Sequence, residues 1–358
     1  MTESLLKWIR PEIRALAAYR VADADGMIKL DAMENPYALP EDSRTDWVDR
    51  VATAQINRYP DPHARALKSA LRRLMQPPPG SSMLLGNGSD EIIQMLALAT
   101  AGEGRCLMAF EPGFVMYRMI ADFTGMQYVG VALDEAFDID VRSTLQAIEQ
   151  HQPALVFIAY PNNPTANCFN PVAIAQIIEA APGLVVIDEA YHPFAQHSYL
   201  DALEQHDKLL VMRTVSKMGL AGLRLGVLFG HPLLINEIDK LRLPYNINVL
   251  TQQAAIAILK HPQALAQQAD EIRQQREKLL AQLAGFDGLH VYPSQANFIL
   301  FRLLRGDAGE VFERLKQQQV LIKNMHAAGG VLHNCLRVTV GTTAENRAFI
   351  DALKTALV

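Results

Sequence analysis

The residues best suited to chemistry in this 358-residue chain are a lysine and a carboxylate that each follow an apolar, strand-like run. Lys217 comes after Leu209–Met212 and enters a glycine-rich segment. A lysine desolvated there beside Arg224 would have a lowered pKa, which makes its amine a usable nucleophile toward carbonyls. Asp188 ends the run Leu184–Ile187, where a carboxylate needs a cation or several donors to stay ionised. A surface lysine in a flexible loop and an aspartate that caps the following turn are the plainer alternatives.

Two further motifs place polar groups at the ends of strand-like runs. The N–H groups of Gly88, Ser89 and Asp90 lie between a short apolar run and a helical pattern. They would form a helix N-terminus able to hold a phosphate, although Ser89 as an ordinary helix cap is an alternative. Pro161–Thr165 contains two asparagines and directly follows an apolar run, at the edge of the sheet where open α/β folds bind ligands. Ordinary turn preferences would explain the same residues.

Together these four motifs contain the parts needed to hold pyridoxal phosphate: a phosphate cradle, a carboxylate, a polar turn and an activated lysine. The lysine binds the aldehyde of this cofactor as a Schiff base. The carboxylate keeps the ring nitrogen protonated, so that the ring accepts electrons from a carbanion. The sequence contains neither a P-loop nor an H-E-x-x-H motif, and nothing in it requires a metal.

Apolar runs and helical patterns alternate through the middle of the chain, which predicts an α/β domain with a mostly parallel central sheet covered by helices. Several runs carry consecutive apolar residues, as expected for strands that are covered on both faces. Strands are predicted at Met83–Leu85, Cys106–Phe110, Tyr128–Ala132, Leu155–Tyr160, Leu184–Ile187, Leu209–Met212 and Leu225–Phe229, and helices at Ser89–Thr100, Phe114–Thr124, Val141–Gln150 and Pro171–Ala181.

After about residue 243 the pattern predicts a second, smaller α/β domain. Residues 250–284 are helical with an interruption at Pro262, and Thr342 with Glu345 forms a capping-box signature before the last helix. Strands are predicted at Leu289–Tyr292, Phe298–Arg302, Val320–Lys323 and Leu336–Val340, with a helix at Ala308–Gln318. We therefore expect three parts: an N-terminal arm of residues 1–33 packed on the small domain, a large cofactor-binding domain of residues 34–242, and a small domain of residues 243–358.

The composition excludes several classes of protein. Apolar residues make up 50% of the chain and charged residues 20%, as in globular proteins and unlike disordered ones. A net charge of −5 gives no overall basic surface for nucleic acid or an anionic membrane. Cys106, Cys168 and Cys335 are far apart and odd in number, which predicts reduced thiols rather than a disulfide framework. With neither a signal-peptide core nor a membrane-length apolar run, a cytoplasmic protein is expected.

The order and spacing of these motifs resemble those of the fold-type-I, aspartate-aminotransferase-like pyridoxal phosphate enzymes. More closely, the chain resembles the histidinol-phosphate aminotransferase family. The resemblance extends from Ile28–Tyr37 to Cys335–Thr342. The lysine segment, together with Asp188 and Tyr191, is what identifies the superfamily. The narrower likeness depends on Glu34–Tyr37, Asn57–Asp61, Gly88–Glu91 and the segment around Arg337.

The resemblance implies a role for each cofactor-binding residue. Lys217 would bind the aldehyde and move protons, Asp188 would pair with the ring nitrogen, and Asn163 and Tyr191 would bind the phenolic oxygen. Tyr117 would stack on the ring. The cofactor's phosphate would be bound by Gly88, Ser89, Asp90, Thr214, Ser216 and Arg224. Tyr59 would reach the phosphate in the neighbouring subunit's site, which implies a homodimer with two shared sites.

The resemblance also implies substrate contacts by Tyr19, Asn35, Lys323 and Arg337. The guanidinium of Arg337 would bind a carboxylate or a phosphate in turn, since its geometry suits both anions. Lys323 stands where many members carry an arginine, and Ala18 where many carry a proline. A lysine supplies charge without the fork of a guanidinium, so these departures affect the expected phosphate selectivity.

The implied activity is reversible amino transfer from glutamate to imidazole-acetol phosphate, giving histidinol phosphate and 2-oxoglutarate, in histidine biosynthesis. Residue identities leave an aromatic-amino-acid aminotransferase or a threonine-phosphate-type decarboxylase of the same superfamily open. A different class is a non-enzymatic pyridoxal phosphate-binding domain of a transcription factor. It is disfavoured because the thirty-odd residues that precede the likeness carry no helix-turn-helix pattern.

Overall fold

The computed structural model describes residues 5–18, 21–195 and 197–358. Its strands are β1 Ile28–Lys29, β2 Ser82–Gly86, β3 Cys106–Glu111, β4 Gln127–Ala132, β5 Leu155–Ala159, β6 Leu184–Asp188, β7 Leu209–Thr214, β8 Gly226–Gly230, β9 Leu289–Val291, β10 Phe298–Leu303, β11 Val320–Leu321, β12 Lys323–Asn324 and β13 Cys335–Thr339. The helices bounded within these residues are α1 Pro11–Ala15, α2 Glu41–Ala52, α3 Arg65–Met75, α4 Ser89–Thr100, α5 Val115–Thr124, α6 Val141–His151, α7 Pro171–Ala180, α8 Pro232–Asp239, α9 Val249–Ile258, α10 Pro262–Ala284, α11 Ala308–Gln317 and α12 Thr343–Ala356. Among the described helices, none combines the length and the apolar character that crossing a bilayer would need.

The largest sheet has seven strands in the spatial order β2-β8-β7-β6-β5-β3-β4. The strands from β4 to β7 pair in parallel, whereas β8 pairs antiparallel with both β7 and β2. Every residue of β5 and β7 is buried, which explains why these strands read as continuous apolar runs. The predicted α/β class with a mostly parallel sheet is therefore confirmed.

A second sheet of four strands, in the order β12-β13-β10-β9, is antiparallel throughout. Helices α10, α11 and α12 pack with it around a core that includes Leu279, Phe298, Leu315 and Phe349. Strand β1 pairs in parallel with β11, which joins residues 28–29 to the C-terminal part of the chain. Arg10, just before α1, instead donates to the backbone carbonyl of Phe123 in α5.

Helix α9 follows the boundary expected at residue 243 but packs against the larger sheet. Its Ala255 and Ile258 belong to the same apolar cluster as Met83 of β2 and Val227 of β8. The division of the chain into three parts at residues 33 and 243 therefore stays a prediction.

The elements predicted from the sequence recur with small shifts at their ends. Each of the seven central strands and four central helices lies within two residues of its predicted bounds. The capping box of Thr342 and Glu345 is formed at the start of α12. Helices α1, α2, α3 and α8 were not predicted, and α1 begins without a side-chain cap. Helices α2 and α3 begin without a side-chain cap, and α8 is capped by His231, so none carries the usual start signal.

A buried ion pair supports the carboxyl ends of β6 and β7. Arg213 of β7 donates from Nε to Oε2 of Glu189 over 2.8 Å, and both residues are buried. The other carboxylate oxygen of Glu189 accepts a hydrogen bond from the backbone N–H of Tyr199. Because Glu189 directly follows Asp188, this pair holds the chain at the point where the predicted ring-binding carboxylate leaves the sheet.

Replacing Glu189 with alanine should destabilise the protein strongly, because it leaves the Arg213 guanidinium buried without its counter-ion. We expect a loss of about 3–5 kcal/mol in the free energy of unfolding, measured by urea denaturation. The matched control is Asp46→Ala, which breaks the exposed ion pair with Lys260 and should change the unfolding midpoint far less. Equal losses in the two variants would contradict a structural role for the buried pair.

Candidate active site

A cavity at the carboxyl ends of β5, β6 and β7 gathers most of the predicted cofactor residues. Parallel strands end at one edge of the sheet, and side chains that follow them converge there. The predicted residues that line it are Ser89, Asp90, Asn163, Asp188, Tyr191, Thr214, Ser216, Lys217 and Arg224. Met33, Phe114, Ala159 and Ala190 also line the cavity and were not predicted. Met33 comes from the segment after β1, whose sequence pattern carries no signal for such a role.

Lys217 lies in a short 3₁₀ turn directly after β7. Its Nζ donates to the backbone carbonyl of Ala32 over 3.2 Å and lies 5.6 Å from the centroid of the Tyr191 ring. The pKa of Lys217 is lowered to about 8, mainly by burial, with smaller contributions from the positive charges of Arg337 and Arg224. The lowered pKa expected from the sequence is confirmed, with burial as the main cause and Arg337 ahead of Arg224.

Asp188 is the last residue of β6, and its side chain is buried. Its Oδ2 accepts a hydrogen bond from the Tyr117 hydroxyl over 2.7 Å, and its Oδ1 accepts one from the backbone N–H of Ala190 over 3.0 Å. Burial raises the pKa of Asp188 to about 6, and these two hydrogen bonds oppose the rise. The carboxylate is therefore mostly ionised at neutral pH, with two hydrogen-bond donors to stabilise it.

The predicted phosphate cradle depends on two glycines that allow the start of α4 to approach β8 and the side chain of Arg224 closely. Gly88 is the N-cap of α4 at φ +87°, and no side chain caps the helix, so Ser89 is its first helical residue rather than its cap. A Cβ on Gly88 would lie 2.6 Å from Nη2 of Arg224. A Cβ on Gly226 of β8 would lie 2.6 Å from the backbone carbon of Gly88 and 2.7 Å from the nitrogen of Ser89. The uncapped N–H groups and the guanidinium together suit an anion.

Two hydroxyls after β7 complete the cradle. Oγ1 of Thr214 accepts a hydrogen bond from the backbone N–H of Ser216 over 3.1 Å and lies 2.9 Å from its Oγ. The single hydroxyl proton of Thr214 can go either to Oγ of Ser216 or to the backbone carbonyl of Leu225, which lies 3.0 Å from Oγ1. When Thr214 donates to Ser216, the Ser216 hydroxyl keeps its own proton for a ligand. Arg224 adds positive charge and is held by Asp90, with 3.3 Å between Nη2 and Oδ2.

Arg337 reaches the cavity wall from the smaller sheet. It is buried on β13, where its Nη1 donates to Oδ1 of Asn163 and its Nη2 donates to the backbone carbonyl of Asp31 over 3.0 Å. Nδ2 of Asn163 in turn donates to the hydroxyl oxygen of Tyr191 over 3.3 Å. Burial raises the pKa of Tyr191 above its usual value, so its hydroxyl stays protonated at neutral pH. One chain of contacts therefore joins the predicted substrate-binding arginine to the predicted ring-binding residues.

None of the predicted substrate residues that the structure describes lines the cavity itself. Lys323 of β12 pairs directly opposite Arg337 of β13, so both side chains project from the same face of the smaller sheet. The Asn35 amide donates to the carbonyl of Met218 over 3.3 Å and to Oε1 of Gln268 over 3.0 Å. Asn35 therefore holds the residue that follows the predicted catalytic lysine. The predicted contact by Tyr19 falls outside the described residues.

Tyr59 is remote from the cavity of its own chain. Its side chain is 81% exposed and stacks on the ring of Tyr245, with 4.4 Å between centroids. A stacked aromatic that projects from the surface is available to a second protomer, and its predicted contact with the neighbouring subunit stays a prediction.

Tyr117 lies behind the cavity wall and does not line the cavity, as its predicted stacking on the cofactor ring would require. The Tyr117 ring is buried and stacks on Phe157, with 4.5 Å between centroids and 12° between planes. Phe114, which precedes the first residue of α5, lines the cavity instead. Phe114 and Tyr117 are separated by about one turn of helix, and Tyr117 lies behind the cavity wall, where its hydroxyl contacts Asp188.

Replacing Gly226 with alanine should weaken binding of pyridoxal phosphate, because the added Cβ pushes Gly88 and Ser89 away from β8 and misplaces the N–H donors. We expect at least about a tenfold weaker affinity in an absorbance titration, the equivalent of one charge-assisted hydrogen bond. Gly222→Ala is the matched control, since nothing lies within 4 Å of a Cβ at that position. A Gly226→Ala protein with unchanged affinity would rule out this cradle as the phosphate site.

Comparison with known proteins identifies the family of the chain. The family model described as aminotransferase class I and II matches residues 25–353. A histidinol-phosphate aminotransferase 2 of Nitrosococcus oceani is 54% identical over 98% of this chain and 98% of its own length. A histidinol-phosphate aminotransferase of Chromobacterium violaceum is 49% identical over 97% of both chains.

A solved structure shares the fold. The histidinol-phosphate aminotransferase of Sinorhizobium meliloti, solved in complex with pyridoxal 5'-phosphate, superposes with a TM-score of 0.86 at 23% identity and covers 98% of both chains. At that identity the likeness concerns the fold alone. On the family model and the close relatives, the chain belongs to the class I and II aminotransferases and, within them, to the histidinol-phosphate aminotransferase family.

Proposed function

We propose that this protein is a pyridoxal phosphate-dependent histidinol-phosphate transaminase. It transfers an amino group reversibly between histidinol phosphate and 2-oxoglutarate, giving imidazole-acetol phosphate and glutamate, in histidine biosynthesis. The observation that carries this function is the cavity that places a lysine of lowered pKa, a buried carboxylate and a glycine-lined anion cradle side by side. The names of relatives at 54% and 49% identity support the choice of substrate.

The residues of the cavity fit pyridoxal phosphate. When bound, this cofactor supplies an electron sink for the negative charge that develops on the substrate carbon. The N–H groups at the start of α4, the Ser216 hydroxyl and Arg224 bind its phosphate, in a space that a Cβ on Gly88 or Gly226 would fill. Asp188 pairs with the protonated ring nitrogen, to which it offers a carboxylate already held by two donors.

Lys217 is the group that exchanges protons with the substrate. A pKa of about 8 leaves a usable fraction of its amine neutral near pH 7.5, as a nucleophile and a general base both require. When the Lys217 amine is not bonded to the cofactor or the substrate, it donates a hydrogen bond to the carbonyl of Ala32. Asn163 and Tyr191 bind the phenolic oxygen of the ring from the neighbouring turn.

Arg337 binds the anionic end of each substrate in turn. Its guanidinium suits both the phosphate of histidinol phosphate and the carboxylate of glutamate, since both present two oxygens to a planar fork. Lys323, on the same face of the smaller sheet, adds positive charge for the doubly charged phosphate. The contacts of Arg337 with Asn163 and Asp31 hold it in place before substrate arrives.

The active form is a homodimer in which Tyr59 of each protomer reaches the cofactor phosphate bound by the other. Tyr59 is exposed in the single protomer and stacks on Tyr245. This supports the arrangement, because aromatic side chains that become buried on association are typical anchors of protein interfaces. A cytoplasmic location is proposed with it, since Cys106, Cys168 and Cys335 are all free.

The purified holoenzyme should convert histidinol phosphate and 2-oxoglutarate to glutamate with a kcat/KM well above that for phenylalanine or aspartate. Coupled detection of glutamate measures the rate for each amine donor. A higher kcat/KM for phenylalanine would favour an aromatic-amino-acid aminotransferase. Release of carbon dioxide from threonine phosphate would favour a decarboxylase. Either result would overturn the proposed substrate.

Two lysine variants control the same assay. Lys217→Ala should abolish turnover, because no other residue placed in the cavity supplies the amine. Lys208 is exposed and lies just before β7, whereas Lys217 follows the opposite end of that strand, so Lys208→Ala should keep the parental rate. Substantial turnover by Lys217→Ala would contradict the catalytic assignment.

A further inference from the structure

Tyr117 occupies a position that its packing alone does not explain. Its ring stacks on Phe157, and Phe114 meets it edge-on with 5.5 Å between centroids and 88° between planes. These contacts fill the space around the ring and would accept a phenylalanine equally well. The hydroxyl, however, lies at the buried end of the ring, 2.7 Å from Oδ2 of Asp188. A polar group in that place needs a partner, and the carboxylate is the partner it has.

The direction of this hydrogen bond is settled by charge. Burial and the neighbouring negative charge of Asp188 hold the pKa of Tyr117 well above its ordinary value. Its hydroxyl therefore stays protonated over the whole working pH range and donates to the carboxylate. A neutral donor to a buried anion is worth more than an ordinary hydrogen bond, since one partner is charged.

The surroundings of Asp188 make this donor important. Asp90 from α4 and Glu189 in the next position both raise the pKa of Asp188, and burial raises it more. Of the described residues that line the cavity, the cations are Lys217, which donates to the carbonyl of Ala32, and Arg224, which donates to Asp90. Besides the Tyr117 hydroxyl, the backbone N–H of Ala190 stabilises the Asp188 carboxylate. The nearby Tyr191 hydroxyl is neutral and adds no positive charge.

We propose that Tyr117 is a positioning residue for the reaction: its hydroxyl holds the Asp188 carboxylate ionised and oriented to receive the protonated ring nitrogen of the cofactor. This rests on the proposed function, in which Asp188 pairs with that nitrogen. The hydroxyl binds one oxygen and the Ala190 N–H binds the other, so the plane of the carboxylate is fixed from two sides. Each oxygen keeps a lone pair for the ligand.

The proposal predicts a specific pH dependence. A carboxylate that has lost a hydrogen-bond donor has a higher pKa, so it becomes protonated at a higher pH. A protonated Asp188 must release its proton before it can accept the ring N–H⁺, and affinity falls as the pH drops below the pKa of Asp188. In the parent protein this fall should begin near pH 6. Without the Tyr117 hydroxyl it should begin about one to two pH units higher.

The test is the affinity of the apoprotein for pyridoxamine 5'-phosphate between pH 5 and 9, measured by calorimetry on the parent and on Tyr117→Phe. This probe carries the ring and phosphate but no aldehyde, so reaction with Lys217 does not enter the measurement. We expect Tyr117→Phe to bind about tenfold to hundredfold more weakly at pH 5, below the pKa of Asp188 in both proteins, with a much smaller difference at pH 9. A loss that is the same at every pH, or no loss, would overturn the proposal, because packing damage does not follow the protonation of Asp188.

Two further variants separate the proposal from its basis. Tyr160→Phe removes the hydroxyl of another buried tyrosine, next to Tyr199, and should leave the pH profile unchanged. Asp188→Asn should weaken binding and remove the acid-side fall, and adding Tyr117→Phe to it should shift nothing further. If Asp188→Asn binds like the parent, the proposed pairing with the ring nitrogen fails. If Asp188→Asn weakens binding but Tyr117→Phe does not, the role of Tyr117 alone fails.

Discussion

Exclusion of water from the carboxyl edge of the large sheet is the constraint on which the rest of the site depends. Burial disfavours charge of either sign, so it raises the pKa of Asp188 to about 6 and lowers that of Lys217 to about 8. The two pKa values are drawn toward neutrality from opposite sides. Between them Asp188 is largely ionised while Lys217 still exchanges its proton readily. An acid and a base of this kind suit a reaction that needs a fixed anion and a mobile proton.

Backbone groups, with few side chains, form the anion site at this buried edge. The turn into β8 approaches the start of α4 closely enough that Gly226 and Gly88 leave no room for a Cβ, and the uncapped helix end becomes an anion site. Behind the edge, the buried pair of Arg213 and Glu189 anchors the segment after β6. Because β8 is antiparallel to β7, it begins at the carboxyl edge of the parallel strands, which places Arg224 beside that helix end. A parallel strand would begin at the opposite edge of the sheet.

Contact between the two sheets joins cofactor binding to substrate binding. Arg337 projects from the smaller sheet onto Asn163, and its second nitrogen holds the carbonyl of Asp31 in the segment that also carries Met33. A substrate anion that binds this guanidinium is therefore linked to three parts of the chain: Arg337 itself, Asn163 and Asp31. The arrangement makes the anion site sensitive to how the two sheets sit together.

The fold and the residues at strand ends could be predicted from the sequence, whereas the orientation of side chains on helices could not. Consecutive apolar residues predicted β5 and β7, and Asp188 and Lys217 stood out because each ends or follows such a run. Residues such as Arg337 came from the family resemblance, since no local pattern indicates a contact with Asn163 across 174 positions. The place of Tyr117 behind the cavity wall was not predicted, because residue type does not tell which of two aromatics, one turn apart, faces the cavity.

The central claim is that this edge of the sheet holds pyridoxal phosphate against one activated lysine. Borohydride reduction of the cofactor-loaded protein, followed by peptide mass mapping, tests it most directly, since reduction makes the link between lysine and cofactor permanent. The account predicts one adduct per chain, on the peptide that contains Lys217. An adduct on another lysine, such as Lys323 or Lys29, with Lys217 unmodified would contradict it.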